Sequence, residues 1–294
     1  MTETTPAPRV PGKYGRKPRD PSVPVLTLEH YLRPAQGPVR FLGTWTPALG
    51  ALPAATGDIN YASLVTAAGG WPMYCNGPDA ANPPGSPDGC GDCTCAAPAH
   101  MLQAWSTYSG HPEVTVPASS VLALYSAVSG YDPETGANDN GCQMTSVLAY
   151  LKATGIQDSA GNWRKIAGYA AFRDPSDLFL TAQILDTFGS VYLGYNMPQS
   201  AEAQFAAGQP FSVVPGSPYA GRHAVCLQRR RASGTGILEV PCWGALQDVT
   251  RAFHRLNCEE AYAVVTADWL EVNELTSIQG LDLEQLLDDM SDVT

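Results

Sequence analysis

The chain has 294 residues, 44% of them hydrophobic, and a formal net charge of -11, which is enough apolar material for a sizeable buried core. The acidic balance excludes nonspecific nucleic-acid binding, since a protein that neutralises phosphates needs a basic face. No run approaches the ~18 to 20 apolar residues that span a bilayer, and the Thr-, Pro-, Arg- and Lys-rich start lacks the apolar stretch of a signal peptide. The expectation is a protein with no membrane segment that stays in the cytoplasm where it is made. Its eight cysteines, in a chain this long without an export signal, do not read as a secreted disulfide scaffold.

In chain order, residues 1 to about 50 form a Pro-rich arm in which prolines break any regular element. Arg9, Lys13, Arg16, Lys17 and Arg19 make the arm locally basic against Glu3 and Asp20. Such an arm either wraps its own domain or reaches a neighbouring subunit. Its one patterned piece, Leu26 to Leu32, would dock through Leu28, Tyr31 and Leu32. Residues 58 to 88 are rich in turn residues and lead into the segment Gly89-Cys90-Gly91-Asp92-Cys93-Thr94-Cys95. The apolar spacing from Cys93 to Tyr108 predicts a helix with one face on a core.

Further helices are expected at 119–129, with Ser119 or Ser120 as N-cap, and at 143–154, with Gly155 as the stop. The pattern then becomes mixed. A strand is predicted at 163–172, a helix from Asp174-Pro175 to about Phe188, and strands at 190–195, 223–228, 236–243 and 261–266. Arg229-Arg230-Arg231 reads as a solvated strand end or turn. An acidic amphipathic helix at 281–290, carrying Leu283, Leu286 and Leu287, either packs back or meets a partner. The fold class is therefore α+β, a helical half followed by a mostly antiparallel β half. The division is an arm at 1–50, a main domain at 51–270 and an acidic tail at 271–294.

A thiol at a helix N-terminus, as Cys93 would be, feels the positive end of the macrodipole and unpaired N–H groups, both of which favour the thiolate and can hold an oxyanion. Asp92, beside it, works against a thiolate. Cys90, Cys93 and Cys95 with His100 also admit a zinc reading, although a structural zinc site draws its ligands as two separated pairs. No metal and no cofactor are expected. His223 follows Cys93 by about 130 residues, a Cys-then-His order and spacing known for one protease class.

At these residues the sequence resembles the papain-like cysteine peptidases. Cys90-Gly91-Asp92-Cys93-Thr94 looks like their nucleophile turn, Asn140-Gly141-Cys142-Gln143 like their Gly-Cys-Asn-Gly-Gly segment, Arg222-His223-Ala224-Val225 like their His-Ala-Val, and Cys242-Trp243-Gly244 like their Asn-Ser-Trp-Gly. More closely, Gly15-Arg16-Lys17-Pro18, Tyr31-Leu32 and the Gly-Asp-Cys-Thr turn resemble phage and prophage proteins of that fold. The resemblance implies Cys93 as nucleophile, His223 as base and acid, Trp243 and Gly244 supporting the site, and a Cys90–Cys142 disulfide. It also marks two departures. Pro241 stands where a side chain should orient the histidine, and Pro87 where an oxyanion glutamine is expected. Two functions follow: a peptidase-like hydrolase acting on peptides or proteins, or a catalytically silent virion protein that meets capsid proteins through its arm or tail. The first places the protein in a host cytoplasm, the second in the virion. A peptidoglycan-cleaving Cys/His hydrolase fits the spacing and the Trp243-Gly244 motif less well.

Overall fold

The structure, a computed structural model, describes residues 9–31, 59–60, 74, 89–108, 113–230, 237–266 and 283–292. Leu32, Pro87, Arg231 and most of the turn-rich stretch 58–88 lie outside the described residues.

Among the described residues three helices make the first half: α1 (Cys93–Tyr108), α2 (Ala118–Ser129) and α3 (Met144–Ala153). The carbonyl of Asp92 opens α1 by accepting from the amides of Cys95 and Ala96, at 2.7 and 2.9 Å. The one-sided burial expected of α1 is not what forms. Ala97, His100, Met101 and Trp105 are buried as that face requires, but Thr94, Cys95 and Gln103 on the other sides are buried too, because α1 lies between the other helices and the sheet of the second half. The first residue of α2 follows Pro117, so Ser119 and Ser120 lie inside its first turn and cap nothing. Helix α3 ends as expected, with Gly155 at φ +91°.

The second half is built on an antiparallel sheet in the order β4 (Gly168–Ala171), β10 (Cys258–Val265), β5 (Val191–Pro198), β6 (Tyr219–Leu227). A second sheet has the order β1 (Ile59–Asn60), β7 (Arg229–Arg230), β8 (Ile237–Cys242), β9 (Ala245–Thr250). The strand expected over 163–172 is split. Trp163–Arg164 is β3 and pairs with β2 (Ile156–Gln157), and β4 begins only at Gly168. Between them the amide of Ile166 turns to Leu151 and that of Ala167 to Val265, so the chain changes partner in mid-run. Helix α4 (Leu178–Phe188) starts at Asp177, whose side chain accepts from the amides of Phe179 and Leu180, and not at Asp174. Helices α5 (Gln199–Ala206) and α6 (Arg251–Asn257) and strand β9 are additions to the sequence expectation.

Both ends of the described chain fold back on this body. Leu28 and Tyr31 are fully or nearly buried, and the Tyr31 hydroxyl donates to Asp289 Oδ2 at 2.7 Å. Asp289 belongs to α7 (Leu283–Asp292), whose Leu286 and Met290 are buried. Met290 lies so near Gly168 that a Cβ there would come within 2.7 Å of it. The acidic helix thus packs back on its own chain. Among the described residues no helix is long and apolar enough to cross a membrane.

Candidate active site

Cys93 is the first residue of α1, and His223 lies on β6 beside Ala224. Both line one cavity of about 40 Å³, together with Asp92, Pro241, Cys242 and Trp243. That volume is room for a few waters. The Cys93 sulfur accepts from the amide of Ala224 at 3.4 Å and from the amide of Gly15. Among the described residues no hydrogen bond joins it to His223. Burial, chiefly, pushes the thiol up to about 12, with Asp92 contributing in the same direction. Burial, and then the charge of Arg16, brings the His223 imidazole down to about 3. As the site stands, the proton stays on sulfur and the imidazole is neutral.

The histidine is held on two sides. Its Nε2 lies 3.3 Å from Cys242 Sγ, and its Nδ1, also buried, has no hydrogen-bond partner. The Trp243 ring lies 5.0 Å away at 35°, and Tyr14 from the arm meets the imidazole edge-on at 5.9 Å. Trp243 and Gly244 are the two residues between the paired Cys242 and Ala245, at φ +47° and +75°. Positive φ at both central residues is the hairpin pattern that suits the twist of the flanking strands. A tryptophan in that region carries a backbone cost that glycine would avoid, and here its ring roofs the histidine.

Asp92 is buried with one carboxylate oxygen unpartnered, and burial followed by Asp139 raises it to about 7. The expected Cys90–Cys142 disulfide is not formed. Cys142 is a free thiol, 2.8 Å from Thr94 Oγ1 and hydrogen-bonded to Cys95, whereas Cys90 is disulfide-bonded. A cysteine in a disulfide has no thiolate for a metal, so the zinc arrangement through Cys90 falls with it. His100 stacks on Tyr74, ring centroids 5.1 Å apart, at the edge of the same cavity.

Sequence reasoning missed what fills the cleft. The arm wraps its own body, passing between the two halves directly over Cys93. The Gly15 carbonyl accepts from Cys142 N–H at 2.9 Å, the Lys17 amide donates to Cys142 O at 2.9 Å, and the Arg16 amide donates to Arg222 O at 3.2 Å. Glycines make the passage. A Cβ on Gly15 would lie 1.7 Å from Gly91 O, and one on Gly141 would lie 1.8 Å from Gly15 O. Arg16 then reaches beneath the sheet to Glu260, Glu259 and Asn196, and Lys13 pairs with Asp139. The signal available in the sequence was the basic cluster of the arm facing an acidic body.

This arrangement, a thiol on a buried helix facing a histidine on an antiparallel sheet, is the papain-like cysteine protease fold. No family model and no curated protein matches the chain. Among solved structures it is similar to xylellain, a cysteine protease from Xylella fastidiosa, with a TM-score of 0.57 and 13% identity over 90% of this chain and 100% of that one. It is similar to procathepsin L 3 of the Tenebrio molitor larval midgut, at 0.50 and 15% over 75% and 73%. It is also similar to the ragweed pollen cysteine protease Amb a 11 in its proform, at 0.50 and 14% over 71% and 65%. Identities this low establish the fold.

Proposed function

We propose that the protein is a papain-like cysteine hydrolase of phage type, held latent by residues 12–17 of its own arm. Cys93 is the nucleophile and His223 its base and acid. The observation that carries the reading is the convergence of these two residues, from different halves of the chain, on one small cavity. The Gly15-Arg16-Lys17-Pro18 segment, part of the phage-protein resemblance, is the stretch that lies across it. Two of the similar structures are themselves described as a procathepsin and a proform.

With the arm displaced, water and substrate replace the burial that now holds both groups neutral. The Cys93 proton passes to His223, the thiolate attacks an acyl carbon of a peptide or protein, and the imidazolium returns the proton to the leaving amine. The backbone amide of Cys93, at the start of α1, would donate to the developing oxyanion. Water then releases the acyl group from sulfur.

A second reading is favoured by one observation, that the Cys93 sulfur is bonded to two backbone amides and not to His223. It is a silent virion protein that keeps the fold and meets capsid proteins. Iodoacetamide labelling of the full chain near neutral pH separates the two. The hydrolase requires Cys93 to react faster than the half-buried Cys258 under conditions that loosen the arm, and His223→Ala to abolish the difference. Equal rates with and without His223 support the silent reading.

A further inference from the structure

In the papain-like pattern a side chain two residues before the tryptophan orients the histidine, and here that position is Pro241, with no hydrogen-bonding side chain. The next residue supplies one. Along β8 successive side chains point to opposite faces, and it is Cys242, paired with Ala245 at the mouth of the hairpin, whose sulfur sits 3.3 Å from His223 Nε2. Both groups are at least nine-tenths buried, at 2% and 3% exposure. The contact is fixed from behind by the positive-φ turn at Trp243-Gly244 and by the Trp243 ring over the imidazole.

We propose that Cys242 is the positioning residue for His223. Its sulfur accepts the Nε2–H hydrogen bond and so fixes the tautomer in which Nδ1 keeps a lone pair for the Cys93 proton. The choice of tautomer follows from satisfaction of the ring. Nδ1 has no partner, and a buried orphan N–H is rarer in folded proteins than a buried orphan acceptor. If Cys242 donated to Nε2 instead, Nδ1 would carry a hydrogen with nowhere to go and no capacity to accept one from sulfur. On transfer, Cys93 loses its proton to Nδ1, the imidazolium keeps its Nε2–H on Cys242, and no other group changes state. The catalytic consequence rests on the hydrolase reading, whereas the tautomer does not. Its value in acyl transfer is known to be large, since an imidazole held in the wrong tautomer loses on the order of 10⁴ in rate.

The test uses the full chain labelled with ¹⁵N-histidine. Two-bond ¹H–¹⁵N correlations near neutral pH read the tautomer of each of the five histidines, and His223→Ala assigns the signal. The expected wild-type pattern is Nε2–H. Cys242→Ala should give mixed tautomers and about a tenfold loss in the His223-dependent alkylation rate of Cys93, the worth of one ordinary hydrogen bond. Cys242→Ser, which keeps an acceptor, should restore both. An Nδ1–H pattern in the wild type overturns the proposal. So does a Cys242→Ala rate that is unmoved while still dependent on His223. Should Cys242→Ala not fold, the wild-type pattern decides alone. Should Cys93 react no faster than Cys258 with or without His223, the hydrolase reading fails and the tautomer still decides the role of Cys242.

Discussion

Arg16 of the arm and Glu260 of β10 form an ion pair with both side chains buried, across a sequence separation of 244 residues. The pair ties the latch over Cys93 to the last strand of the sheet. Tyr262 donates to the same carboxylate at 2.8 Å, and the Arg16 stem lies over Gly194, where a Cβ would come within 2.9 Å of it.

Removing one member of such a pair leaves the other buried and uncompensated, at a cost of about 3 to 5 kcal/mol. The arm can relieve that cost by leaving, which hydrates Glu260. Arg16→Met should therefore populate the open arm. If labelling of Cys93 proceeds through opening, a loss of about 3 kcal/mol raises its rate roughly 100-fold. Alkylation followed by peptide mapping reads the rate, and adding Glu260→Gln should return part of the protection. A rate unchanged in Arg16→Met would show that the ion pair does not hold the latch.

Gly15→Ala tests the same latch through sterics alone. The new Cβ would lie 1.7 Å from a backbone oxygen, which cannot swing away as a flexible side chain would. The arm should lose its seat while the helices and sheets persist. Limited tryptic digestion should then cut after Lys13 or Arg16 well before the body is attacked, with circular dichroism close to wild type. Gly130→Ala is the control. At φ +77° with open space around it, it costs ~1 to 2 kcal/mol through backbone strain and should leave the arm protected. Equal resistance of the Gly15 and Gly130 variants would sink the steric account.

Asp92 gives the fold a pH signature. Its carboxyl is raised to about 7, first by burial and then by Asp139, while the unfolded chain releases that proton near pH ~4. The proton bound by the folded state stabilises it fully below about pH 4, and this contribution is lost as pH rises to about 7, with stability falling by up to ~1.4 kcal/mol per pH unit from this group. Asp92→Asn removes the dependence. The stability of the variant relative to wild type should rise across that window by on the order of 3 kcal/mol. His223 and His254, both lowered by burial, slope the other way but cancel in the difference. Urea denaturation at several pH values measures it, and parallel curves would refute it. Because the charge of Asp92 also raises Cys93, the same variant should label faster.

Much of the fold was legible because periodicity and punctuation carry it. Gly155 stops α3 as read from the sequence, and the strand expected at 223–228 forms as the buried end of β6. The missed elements are those where tertiary partners override local signals. Helix α6 is only seven residues, Arg251–Asn257, capped by Thr250, too short for a period to show. The strand over 163–172 breaks because its amides find Leu151 and Val265, which no local pattern encodes. At the candidate site, the convergence of Cys93 and His223 on one cavity was legible from order and spacing. The role of Cys242 was not, because the resemblance assigned the histidine contact to the position of Pro241. Nor was the course of the arm, since three glycines far apart in sequence, Gly15, Gly91 and Gly141, become meaningful only when stacked.

The thiols supply the last prediction. Cys142 carries its sulfur against Thr94 and Cys95, while its backbone amide and carbonyl hold Gly15 and Lys17. Its role in the latch is therefore a main-chain role, and the sulfur is a small buried polar contact to α1. Digestion of the denatured protein without reductant, after alkylation, should yield the Cys142 peptide alkylated and the Cys90 peptide only in cross-linked form. Cys142→Ser should leave that cross-link and the tryptic protection of the arm unchanged, since it replaces one hydrogen-bonding group by a smaller one, at a cost of about 1 kcal/mol. A Cys90–Cys142 cross-linked peptide would reverse the assignment. It would place a covalent tie within the helical half, between the Gly89–Cys95 turn and the start of α3, beside the arm that Cys142 holds by its backbone.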